Sequence, residues 1–176
     1  MCIRDSIKTA LLEEHSKAQA MKIVRYIGSD QKRFDELLKL FLTNEYRISQ
    51  RAAFSLGHAC QARPYLIAPN LRLIIENLQD DTVHDAVKRN TVRILQDIDI
   101  PEDLLGLTAD ICFRYLSDPK VAVAIRVFSM SVLYNICKKE PDLSNELKLV
   151  IQDHYEHGTA GFKSRGKKIL KQLNKK

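Results

Sequence analysis

The sequence has no apolar run that approaches the roughly 18 residues needed for a membrane-spanning helix. Its N-terminus lacks the charged, apolar and small-residue order of a signal peptide. Its four cysteines, at positions 2, 60, 112 and 137, form neither a C-x-x-C pair nor a tight cluster. This spacing argues against a disulfide framework and favours thiols buried as small apolar groups in a reducing compartment. We therefore expect a cytoplasmic protein that does not enter a membrane.

The chain has 176 residues, about the size of one ordinary domain, and can bury a sizeable core without help from disulfides or metals. We expect a single domain over residues 1–176. Lys and Arg number 28 against 22 Asp and Glu, which gives a net charge of +6. Because this net charge is modest, the positions of the charged residues matter more than their sum. Residues 1–6, MCIRDS, fit no later pattern and carry no functional prediction.

Helical patterns fill the chain, because apolar residues recur at spacings of three and four while strand signals are nearly absent. Two sets of equivalent positions define an internal repeat. The first set, late in the first helix of each unit, is spaced by 38 residues: Leu40, Leu78, Leu116 and His154. The second set, late in the second helix, is spaced by 39, 38 and 37 residues: Leu56, Leu95, Leu133 and Leu170. We predict four helix-turn-helix units over about 35–66, 70–98, 102–139 and 143–174, after one helix over 7–27.

The period and the order of helix, Asp-containing turn and helix resemble HEAT repeats, and SDPKVAVAIRVFSMSVL (117–133) is the best single match. The resemblance covers residues 35–173 and implies an all-α solenoid, a HEAT- or armadillo-like superhelix whose stacked helix pairs share one core. We call the first helix of each pair A and the second B. The third B helix fits this arrangement, because Arg126 is its only charge from Val121 to Cys137, as is typical of a helix packed between neighbours.

Charge separates by helix type. The four B helices, over 46–60, 84–96, 120–139 and 162–176, carry +2, +2, +4 and +7. The A helices with their turns, over 35–45, 70–81, 102–118 and 142–156, carry −2, −2, −3 and −3. In proteins that this chain resembles, B helices line the concave surface, so the resemblance implies a basic inner face. Such a face would attract a polyanion through its summed field and through counterion release.

We therefore predict a non-catalytic scaffold that binds an acidic macromolecule, either an acidic protein surface or a nucleic acid backbone, without a cofactor. The predicted binding residues are the basic side chains of the B helices: Arg47, Arg51, Lys88, Arg89, Arg93, Arg126, Lys163, Arg165, Lys167, Lys168 and Lys171. For three of these, Arg51, Lys88 and Arg126, a structural alternative stays open. They would then pair with acidic residues of neighbouring turns, namely Asp80, Asp81 or Asp118.

Two motifs suggest chemistry but favour other interpretations. GFKSRGKK (161–168) nearly matches a phosphate-binding loop, but Lys168 stands where Ser or Thr is needed and a helical pattern, not a strand, precedes it. We predict instead that Gly166 allows close packing of helices. His154 and His157 have the spacing of a metal pair but lack a defined third ligand, so we predict no metal site.

A second functional hypothesis is a divergent DNA alkylation repair glycosylase, because those enzymes resemble this chain in having HEAT-like repeats and a basic channel. Their chemistry depends on aromatic residues, prominently tryptophan, and on an acid facing the channel. This chain has no tryptophan, and its B helices offer mainly Phe54, Phe128 and Tyr134. We can assign no catalytic residue, so the resemblance is one of fold and groove.

Overall fold

The computed structural model describes residues 7–43 and 45–174, and MCIRDS lies outside this part of the chain. The described residues form ten α-helices and no strand. The chain divides into two compact units, one ending at Asn90 and the other beginning at Thr91. Each unit is built from helices whose apolar stripes face one another, as the spacing of three and four predicts.

The first unit begins with α1 (Ile7–Glu13) and α2 (Lys17–Ile27), where the sequence predicts one helix over 7–27. That prediction is corrected by the geometry of Ser16. Its hydroxyl accepts a hydrogen bond from the backbone N–H of Gln19 at 3.1 Å and so begins a new helix. The buried Gln19 side chain then donates to the carbonyl of Ala10 at 2.8 Å, which ties α2 back to α1.

The first unit continues with α3 (Gln31–Phe41), α4 (Tyr46–Ala62) and α5 (Leu71–Glu76). Helix α4 packs against α1, α2 and α3, and Phe34 and Phe41 of α3 are fully buried. Short 3₁₀ turns at Pro64–Leu66, Ala68–Asn70 and Asn77–Gln79 flank α5, so the second A helix is broken into brief segments. Prolines early in the first two of these turns lack the N–H that a continuous helix would need.

Helix α6 (Asp85–Leu95) contains the division between the units, and the second unit continues with α7 (Glu102–Ser117), α8 (Val123–Ile136), α9 (Leu143–Asp153) and α10 (Ala160–Leu173). Helix α8 packs against α7, α9 and α10, and its residues Ile125, Met130 and Leu133 are fully buried. The prediction that this helix lies between neighbours is confirmed. From α3 to α10, every predicted repeat contains one pair of helices.

Candidate functional site

Arg126 of α8 lies inside the second unit, although it was predicted as a binding residue. Only 8% of its surface is exposed. Its Nε and Nη2 donate to the carbonyl of Leu116, in the last turn of α7, at 3.0 and 2.9 Å. Its guanidinium also lies 4.7 Å from the centre of the Phe162 ring. Burial lowers the pKa of Arg126, and the charge of Asp118 opposes that shift. Arg126 is therefore committed to packing and leaves the set of candidate binding residues.

Arg51 and Lys88 also donate to backbone carbonyls. Arg51 Nη1 contacts the carbonyls of Leu11 and Leu12, in the last turn of α1, at 2.8 and 2.9 Å. Lys88 Nζ contacts the carbonyl of Asp81 at 3.0 Å. The carbonyls of Leu11 and Leu12 are at a helix end, where they lack intrahelical partners and carry partial negative charge, so the cation of Arg51 stabilises them. The carbonyl of Asp81 lies in the turn before α6. Arg51, Lys88 and Arg126 thus have the structural role left open by the sequence, but their hydrogen-bond partners are carbonyls.

Three further candidates, Arg47, Arg89 and Arg93, are exposed and have no side-chain partner among the described residues. Arg47 and Arg89 belong to the first unit, and Arg93 to the second. Arg89 and Arg93 are four residues apart on α6, so they share one side of that helix.

Helix α10 holds the other five candidates and the sequence GFKSRGKK. Thr159 caps it, since its hydroxyl accepts from the N–H of Phe162 at 3.4 Å. The preceding element is helix α9, which rules out the strand that a phosphate-binding loop requires. A Cβ on Gly166 would lie 3.0 Å from Ile151 Cγ2. The predicted packing role of Gly166 is confirmed, because α9 approaches α10 closely there.

The cations of α10 point to two different sides. Arg165 and Lys168 border a cleft of about 200 Å³ between α8 and α10, which we call the α8–α10 cleft. Its full lining is Gln96, Asp97, Ser131, Tyr134, Asn135, Arg165, Lys168, Ile169 and Gln172. Lys167 instead borders a groove beside α9, together with Glu156. Lys163 is half-buried and Lys171 exposed, and neither lines the cleft. Of the five predicted cations on α10, the structure therefore brings Arg165 and Lys168 together at this cleft.

Hydrogen bonds fix the wall of the cleft. Arg165 Nη1 donates to Ser131 Oγ at 2.6 Å, and Ser131 donates in turn to the carbonyl of Val127 at 3.2 Å. Asn135 Nδ2 donates to the carbonyl of Gln96 at 2.8 Å, which holds the amide in place. Arg165 is thus oriented by one nitrogen, and its other N–H groups have no partner among the described residues.

Lys138 adds a third cation that sequence reasoning missed. Its Nζ donates to Asn135 Oδ1 at 2.8 Å and lies 4.7 Å from the centre of the Tyr134 ring. The next residue, Lys139, is instead paired with Asp99 at 2.5 Å. One signal for Lys138 was present in the sequence. Positions 131, 134 and 135 follow helical spacing on one side of α8, and 138 continues that spacing into the turn just after the helix.

Other chemistry finds little support within the described residues. There, no group of three or more His, Cys, Asp or Glu side chains is placed to hold a metal ion. His154 Nε2 lies 3.9 Å from the carboxylate of its neighbour Asp153. None of the helices in the described ranges is long and apolar enough to cross a bilayer.

The recurring pairs of helices define an α-helical repeat protein of the α-solenoid class. A family model described as a HEAT repeat domain matches residues 7–173, so the chain belongs to the HEAT repeat family. No curated protein and no solved structure matches the chain significantly. HEAT repeats commonly form scaffolds that bind other proteins.

Proposed function

We propose that this HEAT-repeat chain is a non-catalytic scaffold that binds an acidic segment of a partner protein, and that the α8–α10 cleft is a centre of that contact. The observation that carries the proposal is the placement of Arg165 and Lys168 on one cleft, with Lys138 at its edge. Arg93, an exposed cation of the same unit, is a further candidate contact.

Arg165 is suited to recognising a carboxylate. The hydrogen bond from Arg165 Nη1 to Ser131 Oγ, 2.6 Å long, already orients the guanidinium, so binding costs little further side-chain entropy. A guanidinium presents its N–H groups in a planar fork that matches a carboxylate, and such charge-assisted bonds are stronger than neutral ones. Lys168 lies three residues further on the same side of α10 and is exposed, so it can meet a second acidic group.

The composition of the cleft favours protein over nucleic acid. Asp97 and three amide side chains also line the cleft, so its cations are mixed with hydrogen-bond acceptors and neutral donors. A nucleic acid backbone carries a phosphate at every nucleotide and is best met by an unbroken row of cations. It could not avoid the Asp97 carboxylate, whereas a peptide can place its acidic residues away from it. Tyr134 is the one aromatic in the lining, which gives little stacking surface for bases. A peptide with spaced acidic residues and free backbone amides fits such a mixed lining better.

Adjacent lysines on α10 provide a matched test. Lys168→Glu reverses a charge in the cleft, whereas Lys167→Glu makes the same change one residue away on the α9 side. Binding of a labelled poly-glutamate peptide should be measured by fluorescence anisotropy at two salt concentrations. We expect Lys168→Glu combined with Arg165→Ala to weaken binding at least about tenfold, the effect of losing an oriented charge pair. Lys167→Glu should change it only a few-fold.

Three results would refute the proposal. Equal losses from the changes at Lys168 and Lys167 would show a diffuse attraction without a site at the cleft. Failure of the acidic peptide to bind at low salt would rule out an acidic partner. Tighter binding of labelled duplex DNA, with a steep loss as salt rises, would replace the protein partner with a nucleic acid backbone.

A further inference from the structure

The outer side of α9 carries an exposed leucine that lines one of two grooves beside this helix. Leu149 is 67% exposed, the highest value among the large apolar side chains described. Its helix neighbours Leu147 and Ile151 are fully buried and supply the core contacts of α9. Leu149 is therefore not needed for the core, and an apolar side chain of this size held in water marks a surface that another molecule can cover.

The two grooves lie on either side of the same helix and share Gln152. One groove, of about 630 Å³, is lined by Leu149, Val150 and Asp153, with Ser117, Gln152 and His154. The other, of about 420 Å³, is lined by Tyr155 and Leu170 together with Gln152, Glu156 and Lys167. Apolar side chains of a partner segment crossing α9 at Leu149 would therefore find room on both sides.

We call the exposed line of Asp142, Glu146, Leu149, Gln152, Asp153 and Glu156 the α9 stripe.

The charge of the α9 stripe limits what can cover it. Asp142, Glu146 and Glu156 make no ion pair with any described residue. The side chain of Asp153 is 84% exposed, and its one ionic neighbour within the described ranges is the imidazole of His154, at 3.9 Å. Lys148, on the same helix, is half-buried. The stripe thus carries four carboxylates, against the two cations Lys148 and Lys167 on α9 and in the second groove. Its net negative charge would repel an acidic partner and attract a basic one.

We propose that the α9 stripe docks a basic amphipathic segment of a partner protein. Apolar side chains of that segment would cover Leu149 and enter the grooves, while its Lys and Arg residues would meet the surrounding carboxylates. Helix-in-groove recognition of this kind depends on a few apolar anchors with charge around them. This site is separate from the α8–α10 cleft and of opposite charge, so the scaffold would hold one acidic and one basic partner.

The probe for the test is a short helix-forming peptide of leucine and lysine, with the leucines on one side. Its binding is measured by anisotropy at low salt. Leu149→Ser should weaken binding about tenfold, the effect of removing one apolar anchor. The matched control is Leu73→Ser on α5, which removes another leucine that is 52% exposed, and it should leave binding unchanged. Glu146→Gln with Asp153→Asn should weaken binding a few-fold, whereas Asp110→Asn on the exposed part of α7 should not.

Each alternative outcome overturns the proposal. Failure of the cationic peptide to bind at low salt would remove the site, and so would equal binding to Leu149→Ser and to the parent chain. Equal binding of a peptide with glutamate in place of lysine would remove the role of charge. Concentration-dependent self-association that Leu149→Ser abolishes, without binding of the peptide, would assign the α9 stripe to a second copy of this chain. None of these results depends on whether the α8–α10 cleft binds an acidic segment.

Discussion

Replacing Arg126 with alanine should destabilise the second unit, because this side chain joins α8 to both α7 and α10. Its two nitrogens supply hydrogen bonds to the carbonyl of Leu116 at 3.0 and 2.9 Å. That carbonyl lies in the last turn of α7, and the N–H that would continue the helix, that of Lys120, donates instead to Asp118 Oδ1 at 2.8 Å. Alanine would leave the Leu116 carbonyl without its donor.

The expected loss follows from three contributions. A buried carbonyl left without a donor costs about 1 to 3 kcal/mol. Loss of the guanidinium from its position 4.7 Å above Phe162 costs about 0.5 to 2 kcal/mol. Removing a buried charge gives back part of this, because burial disfavours the charged form and lowers the pKa of Arg126. The net expectation is a loss of about 2 to 3 kcal/mol in the free energy of unfolding.

Urea unfolding followed by far-UV circular dichroism measures this loss, since the chain has no tryptophan to report by fluorescence. With a slope of about 1 to 3 kcal/mol per molar urea, the midpoint should fall by roughly 1 M. Arg126→Lys keeps the positive charge but offers one donor nitrogen in place of two, so it should lose about half as much free energy of unfolding. Lys120→Ala, at an exposed residue, is the control. A change below about 0.5 kcal/mol for Arg126→Ala, the range of ordinary surface substitutions, would refute the reasoning.

Two further predictions concern buried groups elsewhere in the chain. Gly166→Val should lower the free energy of unfolding by about 1 to 3 kcal/mol, because a Cβ at this position lies 3.0 Å from Ile151 Cγ2. Gly57→Val is the control and should cost less, because a Cβ there meets nothing within 4 Å. Thermal unfolding of the two variants makes the comparison. Burial raises the pKa of Cys60 and Cys112 to about 12, so both thiols should resist iodoacetamide in the folded chain at mildly alkaline pH, as mapped by mass spectrometry. Because the folded chain favours the neutral thiols, their contribution to stability is fully present below the unfolded pKa of about 8.5 and is lost as the pH rises toward 12. Rapid labelling of either cysteine in the folded chain would contradict the burial of these thiols.

The order of the helices from α3 to α10 was predictable, because each helix carries its own apolar spacing of three and four and the spacing recurs every 38 residues or so. The break between α1 and α2 was missed for a local reason. Apolar spacing continues through Ser16, and one hydroxyl accepting from Gln19 decides that a new helix begins there. A capping hydrogen bond of about 1 kcal/mol outweighs a pattern that both helices satisfy equally well.

The candidate site was less predictable, because a row of charges on one helix does not reveal which neighbours flank it. Lys163, Lys167 and Lys171 follow at intervals of four and so predict one basic side of α10. Gly166 lets α9 approach closely, however, and Lys167 then borders the groove with Glu156. Arg165 and Lys168 lie toward α8, where hydroxyl and amide groups can orient them. The contacts of α10 with α8 and α9, a tertiary property, therefore decide which of its cations can act together on one partner.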